Sequence, residues 1–123
     1  MPSVAIIGAS RDRRKYGNRA VRAYLAQGYT VYPINPHAQY VEGLTAFRSV
    51  LDVPGPIDRA SLYVPPQVGL TLLDEIAAKG ITDIYVNPGA ESEELMARAE
   101  ALGLRPIYAC SILAIGQHPD RLD

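Results

Sequence analysis

Between Gly8 and Asn18 the sequence reads GASRDRRKYGN, with Arg11, Arg13, Arg14 and Lys15 inside five consecutive positions. Guanidinium and ammonium groups this dense at one turn suit a polyanion, and phosphate oxygens can engage several such donors at once. Gly8 and Gly17 bracket the stretch. A residue without Cβ lets the chain turn sharply and bring backbone N–H groups close to a ligand, and a helix opening near Gly17 adds the partial positive charge of its first turn. The same residues also read as a solvated helix face flanked by two ordinary turn glycines.

These cations stand out against a chain of 123 residues with a net charge of only -1. Residues 1 to 50 hold seven Lys or Arg against Asp12 and Glu42, whereas residues 51 to 123 hold five against eleven acids. Arg11, Arg13, Arg14, Lys15, Arg19 and Arg22 make up six of the twelve cations, which describes a local anion site rather than a polybasic arm for nucleic acid. A hydrophobic content of 48% with 20% charged residues excludes a disordered chain. No apolar run approaches the roughly 20 residues that span a bilayer, and no basic segment leads into a long apolar one. The expectation is a soluble cytoplasmic protein forming a single domain over residues 1–123, with no membrane or nucleic-acid partner.

Other chemistry-bearing residues are sparse. Cys110 is the single cysteine, which rules out an intramolecular disulfide or a Cys-rich zinc site. It reads as a small buried hydrophobe at a strand end. His37 and His118, the two histidines, read as loop residues. Glu91, Glu93 and Glu94 fall in the first turn of a helix, where the macrodipole favours them, and lack the spacing of a metal site. No catalytic set and no metal site are expected.

The elements that must position the basic turn follow from hydrophobic periodicity. Residues 3 to 8, SVAIIG, form a short β-branched run closed by glycine, which suits a strand buried on both faces. From residue 18 to 27 the spacing becomes helical, with Ala20, Val21, Tyr24 and Leu25 on one stripe and Gly28 as terminator. Further strands are predicted at residues 30–35, 59–64, 82–87 and 105–110. Helices are predicted at 67–79 and 91–102, ended by Gly80 and Gly103. Residues 36 to 58 resist assignment, apart from one helical turn near 47–51. Such alternation predicts an α/β fold, a three-layer doubly wound (Rossmann-like) five-stranded parallel sheet with its ligand crevice at the carboxyl ends of the strands. The unusual tripeptides all fall at those ends: Gly8-Ala9-Ser10, Asn35-Pro36-His37, Val64-Pro65-Pro66 and Asn87-Pro88-Gly89.

A dinucleotide fingerprint would carry G-x-G-x-x-G and an acid at the end of the second strand for the ribose hydroxyls of NAD. Here the turn is G-A-S with a longer insertion, the second strand ends in Asn35, and no carboxylate lies between Asp12 and Glu42. NAD fits this poorly, and a nucleotide with an additional ribose phosphate fits better.

The combination of G-A-S, K-Y-G-N, V-Y-P-I-N-P and Y-V-P-P resembles the standalone CoA-binding domain family. SLYVPP followed by a helix is similar to the equivalent stretch in the α subunit of succinyl-CoA synthetase. The resemblance runs from about Val4 to Gly103. It implies that coenzyme A, or an acyl-CoA, is the ligand. On that basis Gly8, Ala9 and Ser10 would receive the CoA phosphates, flanked by Arg14 or Lys15, Tyr16 and Gly17. Residues 33 to 36, with Asn35 and Pro36, would line the adenosine end. Val64, Pro65 and Pro66 would form an apolar wall, and Val86, Asn87 and Pro88 a rim beside the nucleotide. Where many relatives end the last strand in Asp-Arg-Cys, this chain has Tyr108-Ala109-Cys110, so the cysteine alone matches.

The expected function is non-enzymatic binding of CoA or an acyl-CoA, for sensing, carriage or regulation. The alternatives are a small NAD(P)-linked oxidoreductase, or the nucleotide-binding subunit of a multi-chain acyl-CoA synthetase whose partner supplies the rest.

Overall fold

A computed structural model describes residues 2–122. The chain runs through β1 (Ser3–Ile7), α1 (Tyr16–Ala26), β2 (Thr30–Ile34), β3 (Tyr40–Val41), β4 (Leu44–Thr45), β5 (Arg59–Leu62), α2 (Pro66–Ala78), β6 (Asp83–Val86), α3 (Glu93–Ala101), β7 (Arg105–Tyr108) and α4 (Ser111–Ala114). Short 3-10 turns occupy Val50–Asp52 and Pro119–Arg121. Five strands form one parallel sheet in the order β2-β1-β5-β6-β7, and β3 and β4 make a separate two-stranded antiparallel hairpin.

β1 is an interior strand of the sheet, and every one of its five residues is buried. Strand geometry sends alternate side chains to opposite faces. Val4 and Ile6 join Ala20, Val21 and Tyr24 of α1 and Ile112 of α4 on one side. Ala5 and Ile7 join Leu73 and Ile76 of α2 and Leu95 and Ala99 of α3 on the other. Burying each Val or Ile side chain contributes about 1.5–3 kcal/mol, so this one strand holds both helical layers to the sheet. Truncating Ile6 to Ala would cost about 2–5 kcal/mol through lost burial and the cavity left behind.

The strand order reverses between β1 and β5. From that point one crossover carries α1 to one face and the next carries α2 to the other, which opens a crevice above the carboxyl ends of these two strands. The unassigned region 36–58 forms the β3–β4 hairpin and then returns along the sheet edge. Asn35 N–H donates to Phe47 O at 2.9 Å and Phe47 N–H to Pro33 O at 2.9 Å, covering the open edge of β2. At the other edge, Arg105 N–H points inward to Thr82 O at 2.7 Å. By strand alternation Pro106, which has no N–H, then faces outward. Among the described residues, no helix is long and apolar enough to cross a membrane.

Candidate functional site

The turn after β1 is built on two close approaches. Gly8 has φ +92°, and a Cβ on it would lie 2.4 Å from Tyr63 O. A Cβ on Gly17 would lie 2.2 Å from Gly8 O. Both glycines are therefore required by backbone packing, which draws the start of α1 onto the end of β1. Between them the chain is wound by local side-chain bonds. Ser10 Oγ accepts from Asp12 N–H at 3.0 Å, and Asp12 Oδ1 from Arg14 N–H at 3.0 Å. Such Ser and Asx turns steer the backbone into the helix. α1 then opens after Lys15 with no side-chain cap on its first N–H groups.

The cations of this turn divide by partner. Arg14 bonds the Asp12 carboxylate through Nε and Nη2, both at 3.1 Å, and its side chain is 88% exposed and does not line the crevice. Those hydrogen bonds from Arg14 are the main reason the Asp12 carboxyl is lowered to about 2. Arg13 pairs with Glu42. Arg22 donates to Asn18 Oδ1 at 2.8 Å and to Arg13 O at 2.7 Å. Arg19 lies 5.5 Å from the centre of the Tyr16 ring. Glu42 is held below its ordinary carboxyl value, chiefly by a 3.0 Å hydrogen bond from Asn18 and then by Arg13. Lys15 is different: its ammonium makes no hydrogen bond or ion pair among the described residues, and it lines the crevice. Arg11 also makes no hydrogen bond or ion pair among the described residues, but it is exposed and does not line the crevice, so the basic stretch is largely a self-paired scaffold that presents Lys15 and one uncapped helix start to the cavity.

The crevice is a cavity of about 900 Å³, near the upper end of the size of small-molecule sites, and its lining is mostly apolar. Gly8, Ala9, Ser10, Lys15, Tyr16 and Gly17 line one side. Asn35 and Pro36 come from the end of β2, Val64 and Pro65 from the end of β5, and Asn87 and Pro88 from the end of β6. Three residues expected on sequence grounds lie elsewhere. Arg14 turns to Asp12, Pro66 is the first residue of α2 outside the cavity wall, and Val86 is buried in the core at 1% exposure.

Two asparagines in the lining are committed to the protein. Asn35 Nδ2 donates to Ala9 O at 2.8 Å and its Oδ1 accepts from His37 N–H at 2.7 Å, tying the end of β2 to the turn after β1. Asn87 Nδ2 donates to Ser61 Oγ at 2.9 Å and Leu62 O at 2.8 Å, while its Oδ1 accepts from Ser111 N–H at 2.8 Å. They hold the rim in shape, and both N–H groups of Asn87 are spent in doing so.

Sequence reading missed the third wall. Cys110, Leu113 and His118 line the cavity from α4 and the segment beyond it. A helix of four residues is too short to show a 3.6-residue period, so nothing in the pattern announced it. Tyr63 was hidden inside a predicted strand. Its phenol oxygen is buried without a hydrogen bond of ordinary geometry, and burial pushes its pKa well up, opposed in part by the nearby Ser61 hydroxyl. It stays a neutral O–H at the cavity wall. His118 Nδ1 accepts from Asp120 N–H at 3.2 Å and caps the final 3-10 turn. His37 lies in an adjoining, smaller cleft. Among the described residues no three His, Cys, Asp or Glu side chains cluster as metal ligands.

Known proteins share much of this sequence and fold. The α subunit of ADP-forming acetate–CoA ligase II of Pyrococcus furiosus is 31% identical over 115 residues, which is 85% of this chain and 25% of that subunit. The chain thus spans about a quarter of the length of that relative. Among solved structures, a conserved hypothetical protein of Pyrococcus furiosus superposes with a TM-score of 0.85 at 34% identity, covering 93% of this chain and 99% of that one. The dinucleotide-forming acetyl-coenzyme A synthetase 1 of Ca. Korarchaeum cryptofilum, solved with phosphate and ADP, gives a TM-score of 0.77 at 34% identity over 87% of this chain and 25% of the other. The CoA binding domain family model matches residues 2–117, nearly the whole chain. The chain belongs to the CoA binding domain family.

Proposed function

We propose that this chain binds coenzyme A or an acyl-CoA reversibly and without transforming it, as a carrier, sensor or regulatory module. One observation carries the reading: a Lys15 ammonium unpaired among the described residues and the uncapped start of α1 stand at one side of a mostly apolar cavity of about 900 Å³. A ligand that joins phosphates to a long, weakly polar arm matches both halves of that lining. Its phosphates lie against Gly8 to Ser10 and Lys15 to Gly17, and its arm runs along Val64 and Pro65. Pro65 has no N–H to offer a phosphate and suits the arm. NAD is disfavoured because Asn35 replaces the usual ribose-binding acid and its amide is already engaged with Ala9 O.

The free-standing reading is supported by the Pyrococcus furiosus protein of nearly the same length, 99% of which is covered by this fold. A second reading, the CoA-binding portion of a multi-chain ADP-forming acyl-CoA ligase, is favoured by the similarity to the ligase α subunit. Calorimetric titration with CoA, acetyl-CoA, NAD and NADP tests the ligand. CoA should bind at least about tenfold more tightly than NAD, a difference of about 1.4 kcal/mol. Incubating the purified chain with acetyl-CoA, ADP and phosphate tests the chemistry: release of free CoA thiol by the chain alone would overturn the non-enzymatic reading, and release only with a co-purified partner would favour the ligase reading.

A further inference from the structure

We infer that Arg48 is the residue that distinguishes a nucleotide carrying a phosphate on its ribose from one that lacks it; this rests on the CoA-binding reading above. In doubly wound sheets the ribose of a bound nucleotide lies at the carboxyl end of the second strand, where an acid selects free hydroxyls and a nearby arginine accommodates a ribose phosphate. Here β2 ends at Ile34 and is followed by Asn35, whose amide is occupied by Ala9 O and His37 N–H. The fold brings a cation, Arg48, to that strand end. Phe47, its neighbour in sequence, is stitched to the end of β2 by two 2.9 Å backbone hydrogen bonds, to Pro33 O and from Asn35 N–H. The stitching fixes Arg48 beside the strand terminus.

Arg48 also lines two cavities at once. One is the main crevice, and the other is an adjoining cleft of about 580 Å³ lined by Pro36, His37, Gln39 and Tyr40. Pro36 and Arg48 are shared by both linings, so they form the sill between them. Most of the basic turn is paired internally, but Arg48 makes no hydrogen bond or ion pair among the described residues. Glu75, an acid in the lining of the main crevice, accepts from Ser49 Oγ at 3.0 Å and makes no bond to Arg48. A planar guanidinium with all its donors unspent, on the sill next to the expected ribose, matches the fork geometry of a phosphate monoester. Lys15 lies across the crevice at the start of α1, so the two cations divide the ligand's anionic groups: Lys15 serves the phosphates at the β1–α1 turn and Arg48 the one on the ribose.

The test compares CoA with dephospho-CoA, which differ only in the ribose phosphate, against wild type, Arg48→Gln and Arg48→Lys. Wild type should prefer CoA by about 10- to 100-fold, the range of one charge-assisted hydrogen-bonded contact. Arg48→Gln should reduce that preference to about threefold or less while leaving dephospho-CoA affinity within about twofold of wild type, and Arg48→Lys should retain an intermediate preference. An undiminished preference in Arg48→Gln, or equal weakening of both ligands, overturns the assignment while leaving CoA binding intact. If wild type binds neither ligand, the CoA reading itself fails and this inference with it.

Discussion

Gly17 sits against the carbonyl of Gly8 so closely that a methyl group on it would come within 2.2 Å of that oxygen. The contact is backbone to backbone, and neither side has a flexible end to yield. Gly17→Ala should therefore push α1 away from β1 and cost about 1–3 kcal/mol as overpacking. Gly8→Ala should cost more, because it combines a 2.4 Å clash with Tyr63 O and a φ of +92°. Chemical denaturation measures both. A Gly17→Ala protein as stable as wild type would show that the turn is looser than this packing requires.

The two basic residues nominated for the phosphates should behave differently. Lys15→Ala should weaken CoA binding by about 1–3 kcal/mol, more at low salt than at high, because Lys15 lines the crevice with no competing partner among the described residues. Arg14→Ala should change affinity by less than about twofold, since its guanidinium is bonded to Asp12 and lies 88% exposed outside the cavity. Titration calorimetry at two salt concentrations decides it, and equal losses in the two variants would mean that Arg14 swings inward when ligand binds.

Asn35→Asp should lower both stability and affinity. The aspartate still accepts from His37 N–H, but it opposes an anionic oxygen to Ala9 O where Asn35 now donates at 2.8 Å. The lost bond and the new repulsion should cost about 1–3 kcal/mol of folding free energy. A thermal melt without ligand separates this structural cost from repulsion of the nucleotide. An unchanged melting temperature would refute the clasp between β2 and the β1 turn.

The Asp12 carboxyl, lowered to about 2 chiefly by hydrogen bonds from Arg14, gives a pH prediction. Its folded value lies below the ordinary 3.8, so its stabilising contribution is fully present above about pH 4 and is lost as pH falls toward about 2. Carboxyl carbon shifts followed through an acid titration should place the Asp12 midpoint near 2 in wild type and return it toward 3.8 in Arg14→Ala. A wild-type midpoint near 3.8 would mean that the pair is not formed in solution.

Much of this arrangement was legible from residue pattern alone. Five short apolar runs and three amphipathic stretches pointed to the parallel α/β sheet, and Gly28, Gly80 and Gly103 do follow its three long helices. The crevice at the ends of β1, β2, β5 and β6 followed from topology. What sequence could not separate was a cation that faces a ligand from one that pairs within its own turn. Arg14 and Lys15 are adjacent and chemically alike, and only the fold directs one to Asp12 and the other to the cavity. Asn35 was read for the charge it lacks, whereas its two hydrogen bonds show that it is a clasp. Arg48 lay in the stretch 36–58, where two-residue strands and a 3-10 turn carry no periodic signal.

The two borders of the sheet carry a consequence for modularity. Residues around Phe47 occupy the hydrogen-bonding edge beyond β2, and the outward-facing Pro106 interrupts the edge of β7. A margin already hydrogen-bonded and a proline on the other edge strand both discourage pairing with a further strand. Such a unit can be spliced beside other domains, or left without them, while its strand pairing stays the same. The same architecture accordingly fills 99% of one archaeal chain and 25% of another, with TM-scores of 0.85 and 0.77.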